Sequence, residues 1–387
     1  MSNQYSANPT KREPSGEVLP PVQPPTSGFL LQLFFIPLVI VLTIVVVWML
    51  FSWLAHMGTS PKELVREITH RNNGSWQRAV TLAEMLDAAP TGSANGIRRD
   101  KQMAAELARI LTDIHKSGAK DESSLKLEEF LCSALGKFEV EEGLDALAEV
   151  AAAKGDDVFI PVRVAAINAL AELVSRLLED PKSAEETLAH LQSNSALQLQ
   201  LIEITKELRE SSAPGSLQID ELRSRAAYAL GLIGQKQGLE RLAVMVQDRS
   251  SNARNNAAFG LARHGDARAL PGILEMLDPT NEAAMLHEDT NIGLNKALSE
   301  PESALNKDWK RSQVLQNGLN TAKLLITRNQ ADDLSKLRTP VEELTKVELS
   351  FFRKDLSSAF KNQSNRDIRG KAEAVKKLLD ERDAKSK

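Results

Sequence analysis

The chain is poor in cysteine and in aromatic residues, and each shortage excludes a class of protein. A single cysteine among 387 residues allows no intrachain disulfide and no cysteine-based zinc site. Aromatic residues make up 4% of the chain and include only two tyrosines, which disfavours a sandwich or barrel of strands. The net charge of −4 argues against a nucleic-acid-binding protein, because such proteins usually carry a strongly basic face.

Residues suited to catalysis or metal binding are also scarce. The six histidines are scattered, and the one His–Glu pair, His287 and Glu288, cannot supply the ligands of a two-metal carboxylate–histidine site. The sequence contains no phosphate-binding glycine loop, nucleophile elbow or metalloprotease helix motif. We therefore predict no enzyme activity, no metal and no cofactor. Cys132 has apolar neighbours and is predicted to be a buried structural thiol.

One long apolar run stands near the start of the chain. No Asp, Glu, Lys or Arg occurs from Val18 to Pro61, and the run itself covers residues 29–54. As a helix it would extend about 39 Å, which exceeds the roughly 30 Å of a bilayer's hydrocarbon core. Trp48 and Trp53 stand where an interfacial belt would lie. A cleaved signal peptide has a much shorter apolar core, so the run predicts a retained transmembrane helix.

The residues around this run predict its orientation. Lys62, Arg66 and Arg71 follow it, whereas Lys11 and Arg12 are the only basic residues before it. Because basic residues flanking a span favour the cytoplasmic side, we predict that the large C-terminal part is cytoplasmic. Residues 1–28 are rich in proline and polar residues and are predicted to form a disordered tail.

An internal repeat dominates the remainder of the chain. RSRAAYALGLIG, which begins at Arg223, returns 31 residues later as RNNAAFGLARHG, which begins at Arg254. The segment of residues 133–147 matches residues 228–242 at six of fifteen positions, and residues 163–173 match the first half of the unit again. The predicted structural positions of the repeat are Ala134, Gly136, Gly143, Arg163, Ala166, Ala169, Arg223, Ala226, Gly234, Asp248, Arg254, Ala257 and Gly265.

Each repeat unit is predicted to be a pair of helices. Apolar residues recur at helical spacing on both halves of the unit, and small residues let a neighbouring helix come close. Gly234 and Gly265 are expected to end the first helices of their units. Asp248 and Ser251 are expected to cap the first helix that follows them. We further expect Arg223 and Arg254 to bond to carbonyls or acidic side chains, such as Asp248, between units.

These residues carry a family resemblance. The pattern R-x-x-A-A-x-A-L-G-x-I-G, followed by a leucine-rich second helix ending in Asp, resembles the HEAT-like repeat of the phycobilisome-lyase type over about Phe130 to Leu277. The layout, one apolar span followed directly by repeats, resembles bacterial membrane-anchored HEAT-repeat proteins. The resemblance implies an all-α HEAT-like solenoid, preceded by one transmembrane helix, in a bacterial inner membrane. Stacked helix pairs of this kind bury one another's apolar faces.

The repeats also suggest how the chain is divided. We predict degenerate repeats at residues 61–118, HEAT-like repeats at 121–278 and a divergent helical segment at 281–387. Spacings of 35, 60 and 31 separate the anchors Ala134, Ala169, Ala229 and Gly260. The spacing of 60 predicts an insertion at about 181–216, which is either a long second helix or an extra helix.

The predicted function is that of a non-enzymatic, membrane-tethered scaffold for an unidentified protein partner, with no nucleic-acid partner. A helical solenoid offers an extended surface along which another protein can lie. Two alternatives remain at this stage. The first is a bilin-lyase-like enzyme or lyase accessory protein, and the second is a structural subunit of a membrane transport or envelope complex.

Overall fold

The computed structural model describes residues 27–56, 60–70, 74–93, 96–179, 184–281, 300–346 and 358–385. Within them, no side chain is described at residues 27, 29–34, 51–56, 300–307 and 358–360. The chain divides into two compact units, Met1–Thr59 and Ser60–Lys387. In the described ranges the elements are sixteen α-helices and five 3-10 helices, without a strand. The predicted all-α class is therefore confirmed.

The described part of the first unit is one helix, α1, Ser27–His56. Its described side chains from Phe35 to Leu50 are large, apolar and almost all exposed, and Trp48 is 68% exposed. The stretch Phe35–Leu50 is apolar apart from Thr43, whose hydroxyl donates to the carbonyl of Val39. The side chain of Trp53 and residues 1–26 of the predicted tail lie outside the described part of the chain. Ser27 and Gly28, the last two residues predicted for the tail, begin α1 instead.

The second unit is a stack of helices that alternate between two layers. Layer A contains the helices α3 (Ser75–Ala88), α5 (Glu122–Gly136), α7 (Ile160–Leu177), α10 (Ser216–Ile233), α12 (Ser251–Arg263), α14 (Glu300–Arg328) and α16 (Ser358–Lys385). Layer B contains α2 (Pro61–Thr69), α4 (Lys101–Ser117), α6 (Leu144–Ala152), α9 (Ser195–Lys206), α11 (Lys236–Met245), α13 (Leu270–Leu277) and α15 (Arg338–Lys346).

Contacts between helices define this arrangement. Each helix of layer A packs against the next helix of layer A in chain order, and each packs against the layer B helix that precedes it. A continuous set of buried apolar side chains, from Leu64 in α2 to Leu379 in α16, fills the space between the layers. Burial of an apolar stripe on each helix by its neighbours is what stabilises such a stack.

The predicted insertion consists of two helices rather than one long helix. The extra helix α8, Ala184–Ser193, precedes α9, which takes the layer B position between α6 and α11. Asn194 separates the two helices and caps α9, because its side chain accepts a hydrogen bond from the backbone N–H of Leu197. Residues 180–183, at the start of the insertion, lie outside the described residues.

The capping of α12 differs from the prediction. Ser250, not Ser251, is the N-cap, and its hydroxyl accepts from the backbone N–H of Ala253. Ser251 is the first residue of the helix and is fully buried. Asp248 acts just before the helix, because its carboxylate accepts a hydrogen bond from the backbone N–H of the N-cap residue Ser250, at 2.9 Å. Either serine fits the sequence pattern, and only the backbone geometry distinguishes them.

One layer A segment meets the length and composition of a membrane span. Asp157–Leu177, a 3-10 turn followed by α7, is long and apolar enough to cross a bilayer, but more than half of its apolar stretch is buried. Its apolar residues, such as Val162 and Leu170, face the other helices of the stack, and the buried Arg163 lies among them. We therefore assign this helix to the core of the solenoid.

The single cysteine also belongs to the core. Cys132 in α5 has no exposed surface, as predicted. Burial, followed by the negative charges of Glu128 and Glu129, raises the pKa of the Cys132 thiol well above its ordinary value. The thiol therefore stays neutral, which favours a structural role over a reactive one.

Candidate interaction surface

The small residues of the repeat lie where neighbouring layer A helices come closest. Gly136 in α5 packs on the backbone of Ala169 in α7, where a side chain on the glycine would come within 2.9 Å of the Ala169 Cα. Gly231 in α10 faces Gly260 in α12 in the same way, at 2.5 Å. The predicted positions Ala134, Ala166, Ala226 and Ala257 are all fully buried. These residues set the spacing of the layer and are not available to a ligand.

Glycine also occupies an equivalent position in the connections between the two layers. A side chain on Gly143 would meet Leu135 at 3.2 Å, and one on Gly238 would meet Leu230 at 3.2 Å. Leu135 and Leu230 are themselves equivalent in the repeat. The second helix therefore starts against the same leucine in both units.

The predicted arginines lie at the junctions between repeats. Arg163 in α7 donates from Nε to the carbonyl of Ala151 at the end of α6, at 3.0 Å, and from Nη2 to Glu207 at 2.6 Å. A cation at the C-terminal end of a helix satisfies carbonyls that lack an intrahelical partner and opposes the negative end of the helix dipole. Arg163 therefore ties one repeat to the end of the preceding layer B helix.

Arg223 makes the corresponding junction with more acidic partners. Its guanidinium donates to the carboxylates of Asp220, at 2.9 Å, and Asp248, and it reaches the carbonyl of Thr205 at 3.4 Å. The side chains of Arg223 and Asp248 are 3% and 5% exposed. Arg249 pairs with Asp220 from the other side, at 2.8 Å. The expected bond between Arg223 and Asp248 is therefore present, within a buried network.

Arg254 forms the next junction with different groups. It donates to both oxygens of Glu275 in α13, each at 3.0 Å from Nε, and to the backbone carbonyls of Asp248 and Arg249. The prediction of a bond at a unit junction holds, and Asp248 takes part through its carbonyl.

Glu207 and Glu275 were not identified from the sequence, because acidic residues are common on helical surfaces and nothing marks these two.

The turn after α10 contacts the turn after α12. Gly234 ends α10 with φ +69°, and Gly265, after α12, has φ +72°. Both predicted helix ends are thus confirmed in the left-handed region that glycine favours. The ring of His264 lies directly against Gly234, and its Nε2–H donates to the carbonyl of Gly231 at 2.9 Å. His264 therefore satisfies a carbonyl in the last turn of the neighbouring helix.

This histidine predicts a pH dependence of stability. Burial is the main cause that lowers the pKa of His264, and the nearby cations Arg263 and Arg328 lower it further. The unfolded chain therefore takes up a proton as the pH falls below about 6.5, while the folded chain does not until a lower pH. We expect the free energy of unfolding to decrease as the pH is lowered through that window. Denaturant titrations at several pH values measure this slope, and His264→Gln should flatten it; an unchanged slope in the variant would exclude His264 as its source.

Outward side chains of layer A form a run of contacts from one repeat to the next. Asn168 donates to Glu221 at 3.2 Å, and Asn256 donates to the Ser224 carbonyl at 2.9 Å. Lys310 bonds to Asn252, and Lys371 donates to Gln316 at 3.0 Å. These bonds cross successive helices from α7 to α16, so the outer side of layer A forms a continuous surface.

Two pairs of stacked rings lie on the same layer. Tyr228 in α10 stacks on Phe259 in α12 with ring centres 5.6 Å apart, and both rings are half-buried. Trp76 in α3 stacks on Phe130 in α5 at 5.9 Å, and the Lys126 ammonium lies over its ring. Trp76 therefore packs within the stack. Tyr228 and Phe259 share one register of the repeat, which is the sequence signal for their contact.

Within the described residues, no group of three or more His, Cys, Asp or Glu side chains is placed to hold a metal ion. Among the described residues, His190 Nδ1 lies 2.6 Å from the carboxylate of Glu141, and His115 Nδ1 lies 2.8 Å from the carboxylate of Glu128. Glu128 is fully buried in this pair. The predicted single His–Glu pair, His287 and Glu288, falls outside the described residues.

The stack of helix pairs, with small residues at the crossings and arginines at the junctions, defines the second unit as an all-α solenoid. Residues 217–285, which cover α10 to α13, match the family model of HEAT repeats. Residues 217–285 therefore carry HEAT repeats, and the all-α stack around them has the fold of a HEAT-like solenoid. A search of curated proteins and a search of solved structures each gave no match to the chain.

Proposed function

We propose that the protein is a non-enzymatic scaffold that holds a partner protein on its solenoid at the surface of a bacterial inner membrane. The observation that carries this proposal is the continuous outer side of layer A, where polar bonds connect one repeat to the next from α7 to α16. A surface that extends over many helices fits an extended peptide or a helix better than a small substrate.

The position of α1 supports the membrane part of the proposal. The exposed residues from Phe35 to Leu50 would have to leave water, and a bilayer provides the apolar surroundings that they need. The basic residues Lys62 and Arg66 in α2 follow directly in the chain. By the distribution of basic residues, the solenoid would then lie on the cytoplasmic side.

Cell fractionation and partner capture test this proposal together. The intact chain should remain in the membrane fraction after a salt wash, and a variant without residues 29–54 should move to the soluble fraction. In a pull-down from non-ionic detergent, both forms should retain the same partner, because the solenoid is unchanged. Digestion of sealed inverted vesicles should remove the solenoid if it is cytoplasmic.

Several results would contradict the proposal. Recovery of the deletion variant in washed membranes would exclude α1 as the anchor, and protection of the solenoid in inverted vesicles would reverse the orientation. Stoichiometric binding of a tetrapyrrole, seen as an absorbance shift on titration, would favour a lyase-like function over a scaffold.

A further inference from the structure

Three segments in the second half of layer A differ in charge from the rest of the chain. Residues 225–233 of α10, 251–263 of α12 and 309–328 of α14 contain no Asp or Glu, although they include seven Lys and Arg residues. The chain as a whole has a net charge of −4, so this composition is local. We call the outward side of these three segments the basic face. By contrast, α5 alone carries Glu122, Glu128 and Glu129.

Three arginines of the basic face differ from the arginines at the repeat junctions, because they have no partner among the described residues. Arg225 in α10, Arg263 in α12 and Arg328 at the end of α14 make neither a hydrogen bond nor an ion pair with any described residue. Other arginines of the solenoid, such as Arg163, Arg223 and Arg254, bond to carboxylates or carbonyls. We call Arg225, Arg263 and Arg328 the arginine triad.

The three members lie around the stacked rings. Arg225 and Tyr228 are three residues apart on α10, and Arg263 and Phe259 are four apart on α12, so each pair shares one side of its helix. Arg263 is close enough to interact electrostatically with both Tyr228 and Arg328. The triad and the ring pair therefore form one patch across α10, α12 and α14.

Arg263 shows that this patch is not optimised for stability. Burial is the main cause that lowers the pKa of its guanidinium, and the positive charge of Arg328 adds to this. A half-buried cation that faces a second cation, with no described acid beside it, opposes folding. Such arrangements are typical of sites that receive a ligand of opposite charge.

We propose that the basic face binds an acidic segment of a partner protein, whose carboxylates pair with the arginine triad and whose apolar side chain packs on the Tyr228–Phe259 pair. Guanidinium groups bind carboxylates through two parallel hydrogen bonds, which favours arginine at such contacts. Partly exposed rings give large contact area at a small cost in conformational entropy. This inference deepens the proposed function and depends on it, because it names the chemistry of the partner.

Charge over the whole molecule favours a peptide over a nucleic acid or a lipid surface. A polyanion that covers many residues would also meet the acidic remainder of a chain with net charge −4. A short acidic segment needs only the basic face. We therefore assign the site to a peptide, and we include the other polyanions as outcomes of the test.

Peptide selection on the full chain tests the inference. A library of random peptides displayed on phage is selected against the intact protein in non-ionic detergent, and enriched sequences are synthesised and titrated by fluorescence polarisation. The test variant is Arg225→Gln/Arg263→Gln/Arg328→Gln. The matched control, Lys116→Gln/Lys206→Gln/Lys236→Gln, removes the same charge from exposed positions on layer B.

We expect the enriched peptides to be acidic and to contain an apolar residue. Their Kd should rise at least about tenfold for the triad variant, because charge-assisted hydrogen bonds are lost, and should change little for the control. Affinity should fall as salt is added. The triad variant should unfold at the same temperature as the original chain or a higher one, because no internal partner is lost.

The contrary outcomes are equally definite. No enrichment, enrichment of neutral or basic peptides, or equal affinity for the triad variant would overturn the inference. Tighter, triad-dependent binding of a single-stranded oligonucleotide or of phosphatidylglycerol vesicles would replace the peptide with another ligand. If the triad variant keeps every partner captured by the intact chain, the acidic-segment inference fails and the scaffold proposal stands. If the intact chain captures no partner, the scaffold proposal itself fails.

Discussion

Replacement of Gly260 by alanine is expected to destabilise the solenoid by about 3 kcal/mol, the upper part of the range for overpacked cores. A Cβ at this position would lie 2.6 Å from the Cα of Gly231 and 2.7 Å from Cδ1 of Leu242. The first contact is with backbone, so it is relieved only if α10 and α12 move apart. Such a movement would open the buried surface between two repeats.

The change in stability also contains an opposing, stabilising contribution from alanine itself, which a control variant can measure. Alanine stabilises a helix interior relative to glycine by about 0.5–1 kcal/mol. Gly370 in α16 has nothing within 4 Å of the position of a Cβ, so Gly370→Ala should show only this gain. Thermal and denaturant unfolding followed by circular dichroism compares the two variants. Equal unfolding midpoints for Gly260→Ala and Gly370→Ala would show that the close contact between Gly231 and Gly260 does not limit stability.

The same contact shows how far the sequence predicts the fold. The repeat alignment correctly placed small residues where layer A helices meet, but it paired Ala229 with Gly260. In the structure Gly231 meets Gly260, at a separation of 29 residues instead of the repeat spacing of 31. Gly136 meets Ala169 at a separation of 33 instead of 35. Neighbouring helices are thus displaced by two residues, about 3 Å along the axis.

This displacement follows from packing and not from the repeat pattern. An alignment finds equivalent residues, whereas side chains of one helix fit between those of the next, so the closest backbone contacts fall between non-equivalent positions. The longer side chains of Tyr228 and Phe259 still meet at equivalent positions. For the same reason the sequence identified Arg223 and Asp248 but not Glu207 or Glu275. The acid that completes each junction is chosen by three-dimensional proximity, and its position differs from one repeat to the next.

The arginine triad illustrates a second limit. An unpaired arginine looks the same in the sequence as a paired one, because the difference depends on which acid lies opposite. The sequence does show that residues 251–263 lack Asp and Glu. It does not show that α10, α12 and α14 place their cations beside one another, since α13 and the segment from 278 to 299 separate the last two helices in the chain.

Replacement of Asp248 by alanine is expected to lower the free energy of unfolding by about 3–5 kcal/mol, the cost of breaking a buried ion pair. The change would leave the Arg223 guanidinium, already at a pKa lowered mainly by burial, with Asp220 as its remaining carboxylate. It would also remove the acceptor of the Ser250 N–H that precedes α12. Denaturant unfolding of the full chain in non-ionic detergent measures the loss.

A double variant separates loss of the pair from loss of packing. Arg223→Met/Asp248→Leu removes both charges together, and Asp220 keeps Arg249 as its partner. Because no unpaired charge is then buried, the double variant should be more stable than Asp248→Ala alone. Glu240→Ala, which breaks an exposed pair with Arg268, serves as the control and should cost less than about 1 kcal/mol. If the double variant is the least stable of the three, the network stabilises the junction through its hydrogen bonds and not only by neutralising Arg223.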